Sequence, residues 1–287
     1  MLTPEPGGDG PRQGDSGRKG RESGAPGGRS TVVFVVSPRA RVGKTLTARL
    51  IVDFFRGNGR HVNAFDANPG DPALSRFIPS EPATLVHTRG QVSLFDRLII
   101  PDRRVKVIDL AADQFDTLLT ILRETRFPEE AKATGIDTVI AYVAENHPRS
   151  AEGYKRLTNG FPELMMMPVL NQPTVPDGAE PLPHPPRNTT PVHLTHLPPA
   201  AMEEINRPGF TFAERSGGTA PPRVAAPAPA PVSPYAKGAN PYAPAPANPL
   251  LSIEAWIGEA FIALRDLELR LSMEGFATLF RQSAWAI

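Results

Sequence analysis

Gly43-Lys44-Thr45 stands where an apolar, β-branched run ends and a helical pattern begins. The run is Thr31-Val-Val-Phe-Val-Val-Ser37, and the short loop between is Pro38-Arg39-Ala40-Arg41-Val42. This strand–loop–helix setting turns the tripeptide into a phosphate-binding loop. Backbone N–H groups at a helix N-terminus point at an anion, and the helix dipole favours negative charge there. Lys44 is placed to neutralise β- and γ-phosphate oxygens, and the Thr45 hydroxyl to ligate Mg²⁺. Two carboxylates extend the set. Asp66 closes the segment His61-Val-Asn-Ala-Phe-Asp66, and Asp109 lies in Arg104-Val-Lys-Val-Ile-Asp-Leu110. Both fall at the C-terminal ends of strand-like runs, where a doubly wound sheet builds its site, and both can hold Mg²⁺ directly or through water.

The elements that must position these groups alternate along residues 31–170. Apolar periodicity predicts strands at 31–37, 61–66, 104–110, 136–143 and 164–170, and helices at 44–57, 112–125 and 149–158. Leu50, Ile51, Phe54 and Phe55 share one face of the first helix, which Gly57 and Gly59 stop. Phe115, Leu118, Leu119 and Leu122 do the same in the second. Near-continuous apolar strands separated by helices predict a doubly wound, mainly parallel α/β sheet covered on both faces. Met165–Met167 reads as core strand rather than a cofactor box.

Composition narrows the classes. The 287 residues are 40% hydrophobic with a net charge of +1, enough for one sizeable α/β core. Near-neutral charge gives no overall electrostatic case for nucleic acid or an anionic membrane. With no cysteine, disulfides, thiol nucleophiles and thiolate metal sites are excluded, which fits a reducing, cytoplasmic setting. No apolar run reaches the roughly 20 residues needed to span a bilayer, and no hydrophobic segment opens the chain.

Proline, at 34 residues, is concentrated in places. Residues 1–30 have almost no bulky apolar side chains and read as a disordered arm whose basic residues are interleaved with acids. Residues 171–190 form a Pro-rich loop, followed by a strand at 192–197 and a short helix near 199–206. Pro208-Gly-Phe-Thr-Phe212 reads as a turn and hydrophobic anchor. Residues 220–249 hold ten prolines in thirty, so 214–250 is taken as a semi-rigid Pro/Ala-rich linker. Tyr235 and Tyr242 recur there in similar Pro-Tyr-Ala contexts. The 251–287 segment opens with a strongly amphipathic helix at 251–271, with Ser252 as N-cap, expected to pack back on the 31–213 domain. His184, His193 and His196 are loosely clustered, but a strand puts His193 and His196 on opposite faces, which disfavours a metal site.

The order of P-loop, Asp66-Ala-Asn68-Pro69 and late Asp109 resembles the ParA/MinD superfamily of P-loop ATPases (the CobQ/CobB/MinD/ParA nucleotide-binding domain), which carries a deviant Walker A motif. The similarity covers roughly residues 31–213. It implies ATP and Mg²⁺ as cofactors. Arg39, Arg41, Val42, Gly43, Lys44, Thr45 and Thr47 would face the nucleotide, and Asn171, after the fifth strand, would contact the base. Thr45, Asp66 and Asp109 would hold the metal. Asn146 and Pro148 fall where the family has its post-strand loop. Family members work as nucleotide-dependent homodimers in DNA partition, conjugative transfer or protein positioning.

The departures bear on turnover. The family loop reads Lys-Gly-Gly-x-Gly-Lys-Thr. Here Arg39 stands at the signature lysine, which in the family reaches the partner subunit's nucleotide, and keeps its charge. Ala40 and Arg41 replace two glycines, whose backbone freedom a substituted residue lacks. Pro38 has no N–H to donate. Asn68 takes the place of the second switch-I aspartate, which prepares the attacking water. An amide is no base, though it can orient water; Asp71, three residues on, is the carboxylate left to substitute. Lys44, Asn68 and Asp71 are thus the catalytic candidates, with binding more secure than hydrolysis. The alternatives are a pseudo-ATPase scaffold that recruits protein partners through its Pro-rich linker or C-terminal helix, and a metabolic P-loop enzyme. No second substrate motif supports the last. DNA binding has no basic stripe behind it.

Overall fold

In the computed structural model, residues 28–171, 191–216 and 252–283 are described, the last helix with its side chains to residue 273. Residues 1–27, the Pro-rich loop with His184 and the linker with Tyr235 and Tyr242 lie outside these.

Seven strands form one all-parallel sheet in the order β3-β2-β4-β1-β5-β6-β7. They are β1 (Ser30–Val36), β2 (Val62–Ala67), β3 (Glu81–Pro82), β4 (Val105–Leu110), β5 (Ile136–Ala144), β6 (Met165–Asn171) and β7 (Val192–Leu194). Every residue of β1, β4 and β6 is buried. That is why β1 and β6 read as near-continuous apolar runs rather than alternating ones, while β4 buries Lys106 and Asp109 as well.

Helices cover both faces. On one lie α1 (Lys44–Gly57), α6 (Pro199–Ile205), α7 (Phe212–Arg215) and α8 (Ile253–Ser283), packed on Val33, Val35, Val105, Val107, Val139 and Met167. On the other lie α2 (Thr88–Leu98), α3 (Phe115–Glu124), α4 (Phe127–Ala133) and α5 (Pro148–Gly160), packed on Val32, Phe34, Ile108, Ile140 and Met166. Adjacent strand residues thus serve opposite cores, as the two-residue repeat of a strand requires. The expected α/β class, parallel sheet and two covered faces are present.

The differences have local causes. The segment expected as a helix over 112–125 divides into a 3-10 turn, Ala112–Gln114, and α3. The helices α2 and α4 and the two-residue strand β3 were not expected. Helix α2 is mostly polar, with only Leu94 and Leu98 buried, and α4 starts on Pro128, favourable in a first helical turn but easily read as a break. Strand β7 stops at Leu194, so His196 lies beyond it rather than on its opposite face. No group of three His, Cys, Asp or Glu suited to a metal occurs among the described residues.

The turn before α7 is an anchor: Phe212 is fully buried, and its N–H donates to Asp53 Oδ2 at 2.7 Å. Ser252 caps α8 by accepting the Ala255 N–H at 3.2 Å. Ile253, Trp256, Ile257, Ala260, Leu264, Leu267 and Leu271 of α8 are buried, and the Trp256 indole donates to the Thr195 carbonyl at 2.9 Å. At 31 residues α8 runs well past the 251–271 of the amphipathic pattern. No described helix is long and apolar enough to cross a membrane.

Candidate functional site

The loop after β1 leaves the sheet's centre and ends at the start of α1. Gly43 has φ 98°, in the left-handed region, and caps α1 without a side-chain acceptor. No acidic residue stands in the first turn. The first amides of α1 are therefore not taken up by a cap, which is the condition for anion binding at a helix N-terminus.

Gly43 is fixed by more than backbone conformation. A Cβ there would lie 2.6 Å from Asn171 Nδ2. That amide nitrogen donates to the Val42 carbonyl at 3.0 Å. Asn171, the last residue of β6, thus braces the loop.

Arg41 has φ 61°, in the left-handed region that favours glycine. The loop keeps a glycine-like bend at a cost of about 1–2 kcal/mol for an L-residue. The guanidinium of Arg41 is exposed, with no ion pair among the described residues. Arg39 is committed elsewhere: its Nε donates to Glu145 Oε2 at 2.8 Å. Pro38 packs where a Cβ on Gly153 of α5 would meet it at 2.9 Å. The β5–α5 junction and the end of β6 therefore hold a loop in which Gly43 is the one glycine.

Lys44, Thr45, Asp66 and Asp109 come together. The Thr45 hydroxyl donates to Asp109 Oδ2 at 2.7 Å. Asp66 and Asp109 are register partners on β2 and β4, and Asp109 is also level with Val35 of β1. Burial pushes the Asp109 carboxyl up to about 6; the Thr45 hydrogen bond and the Lys44 charge oppose the rise, and Asp66 adds to it. Burial also lowers Lys44 from its ordinary value, against the pull of Asp109 and Asp113. Lys44 Nζ donates to the Arg39 carbonyl at 2.8 Å, folding the ammonium back over the loop. The oxygens of Thr45, Asp66 and Asp109 suit Mg²⁺, which takes one or two carboxylates and fills its sphere with water and phosphate.

The other expected residues lie apart. The Thr47 hydroxyl donates to the Gly43 carbonyl at 3.0 Å, and the buried residue lines a small apolar space with Ile51, Met167, Val192 and Leu264. Asp71 is exposed and paired with Arg76. Asp66 accepts the Asn68 N–H at 3.3 Å and the Ser75 N–H at 3.0 Å, so it also fastens the loop after β2. Asn68 is half-buried in that loop.

Glu145 and Asp113 were not foreseen. Glu145 is 106 residues from Arg39 and gives no local signal. Asp113 follows Asp109 by four residues, and a second carboxylate so near a strand end was the available clue. The described structure defines a parallel seven-stranded α/β sheet with covered faces, an arrangement compatible with a P-loop NTPase fold. No protein-family model matches the chain, and no curated protein matches it at the threshold of significance.

Proposed function

We propose that the chain binds ATP with Mg²⁺ and works as a nucleotide-dependent switch of the ParA/MinD kind, with slow hydrolysis at most. The observation that carries this reading is the Lys44–Thr45–Asp109–Asp66 cluster at the uncapped N-terminus of α1. Lys44 would leave the Arg39 carbonyl and turn to the phosphates. Thr45, Asp109 and Asp66 would hold the cation, directly or through water, and the bound cation would offset charge on the β- and γ-phosphates. Low turnover follows from the loop after β2. Asn68 cannot take a proton, and the Asp71 carboxylate is paired with Arg76 in solvent. Association of two subunits would have to supply what hydrolysis lacks.

The second reading is an interaction module whose P-loop no longer binds nucleotide. The Arg39–Glu145 pair and the Lys44–Arg39 carbonyl bond favour it, because two of the loop's three cations are satisfied internally. Equilibrium binding of a fluorescent ATP analogue with Mg²⁺, for wild type and Lys44→Ala, separates the two. Lysine-dependent binding supports the switch. No saturable binding by wild type sinks it and leaves the module. Phosphate release in the same samples measures turnover.

A further inference from the structure

Arg49 is a buried cation that the nucleotide chemistry leaves unused. It is fully buried, and it follows Thr45 by one turn on the same side of α1. Its guanidinium carbon lies 4.0 Å from the centre of the Phe77 ring and 5.0 Å from that of Phe212. Its Nη2 donates to the carbonyl of Ile205, the last residue of α6, at 2.5 Å, while its Nε has no hydrogen-bond partner among the described residues. Burial lowers Arg49 to about 10, against the pull of Asp53, so it stays charged at neutral pH. A buried charge so thinly paired is a poor way to stabilise a core, where an apolar side chain of similar volume often does as well or better. What an apolar side chain would not do is hold three segments through one charge.

Two of those segments lead elsewhere. Phe77 directly follows the 3-10 turn Leu74–Arg76, and that turn is tied to the cluster at the start of α1, because the Ser75 N–H donates to Asp66 Oδ2 at 3.0 Å. The Asn68 N–H takes Asp66 Oδ1 at 3.3 Å, so both oxygens of that carboxylate are engaged. On the far side, the Phe212 N–H donates to Asp53 Oδ2, one turn beyond Arg49 on α1, and the Phe212 ring lies 6.2 Å from Trp256 of α8. Arg215 of α7 adds an ion pair with Glu254 of α8 at 2.8 Å. A continuous set of contacts therefore runs from Asp66 through Phe77, Arg49 and Phe212 to α8.

We propose that Arg49 couples the cation site at Asp66 to the α6–α8 face, so that the seating of Phe77 and Phe212 depends on whether Mg²⁺–nucleotide is bound. This rests on the nucleotide reading above and specifies how that site is regulated. A cation at Asp66, held directly or through water, draws on the lone pairs that the Ser75 and Asn68 N–H groups now use. The 74–76 turn loosens and Phe77, only half-buried, leaves the guanidinium. Arg49 then keeps one ring and one carbonyl, water reaches it, and the hold on Phe212 weakens. Linkage is reciprocal, so unseating Phe77 beforehand favours the cation-bound state.

The test follows hydrogen exchange of the full chain with and without a non-hydrolysable ATP analogue and Mg²⁺, while a fluorescent analogue reports binding under the same conditions. In wild type the 74–78 and 205–216 amides should exchange faster together once nucleotide is bound. In Arg49→Leu only 74–78 should respond. Phe77→Ala should bind the Mg²⁺–nucleotide about three- to tenfold more tightly, with binding in EDTA unchanged. A merely structural Phe77 would leave both affinities alone or weaken both. If Arg49→Leu does not fold, Phe77→Ala decides alone. Bound nucleotide with a silent 205–216 segment overturns the coupling and leaves the nucleotide reading standing. So does a 205–216 response that survives Arg49→Leu, or Phe77→Ala binding no tighter with Mg²⁺. No saturable binding by wild type overturns both, and the fluorescent analogue shows that separately from exchange.

Discussion

The loops that follow β1 and β2 arise from strands separated only by β4, yet they are built differently. The first is held from three sides: by Asn171 under Val42 and Gly43, by Glu145 on Arg39, and by Gly153 against Pro38. It tolerates Arg41 in a glycine conformation because its surroundings leave it no other path. The second is fastened chiefly through Asp66 and otherwise faces solvent, with Asp71 tied only to Arg76. Groups that bind an anion gain from burial and rigid framing. Groups that activate water must be aimed, and here Asn68 is neutral and the Asp71 carboxylate is exposed and paired with Arg76. The contrast predicts a protein that holds nucleotide better than it cleaves it.

The largest test of the contrast is Lys44→Ala. Removing a charge-assisted partner should cost about 1.5–3 kcal/mol of nucleotide binding, roughly 10- to 150-fold in Kd, with little change in folding. Retained affinity would mean that the first loop is not the site.

Asp109→Asn should separate function from stability. Burial raises the Asp109 carboxyl to about 6, above its unfolded value of 3.8, so its contribution to stability is present at low pH and is lost as pH rises through about 6. Without nucleotide, the variant should therefore gain on the order of 2–3 kcal/mol over wild type at pH 8. The gain should shrink below pH 6 and vanish near pH 4. Thermal melts across that range check it; a gap independent of pH would refute the burial argument. Binding of the Mg²⁺–nucleotide should fall in the same variant.

Gly43→Ala probes the frame directly. The new Cβ meets Asn171 and sits at φ 98°, so a loss of about 1–3 kcal/mol in a denaturant titration is expected. Adding Asn171→Ala should recover only the steric part. If the single change is neutral, the loop is not framed as described.

Asn68→Asp addresses the second loop. Restoring a carboxylate should raise phosphate release about tenfold, below the full range of a well-aimed general base, while Asp71→Asn leaves it unchanged. A drop caused by Asp71→Asn would reassign the water-activating group. The smallest effect is Arg41→Gly, which should stabilise the fold by about 1 kcal/mol by relieving the left-handed strain; a net loss would show that the arginine makes a contact worth more.

Much of this was legible in the residues. Lys44 as the first residue of α1 followed from the break between two-residue and helical periodicity, reinforced by Gly43. The strand-end positions of Asp66 and Asp109 followed from the same patterning. The helices α2 and α4 were missed because their buried faces are narrow.

The sequence alone determined the periodic elements, the absence of cysteine chemistry, the Gly43-Lys44-Thr45 tripeptide and the neutral amide at Asn68. These are local, because periodicity and side-chain identity need no partner. Only the tertiary structure decided that Asp66 lies in register with Asp109, that Arg39 is held by Glu145, that Asn171 closes on Gly43, and that α8 buries one face on the domain. Each of these joins segments tens to more than a hundred residues apart. Which strand lies beside which, and which helix face is covered, is settled by how the chain packs and not by any window of it.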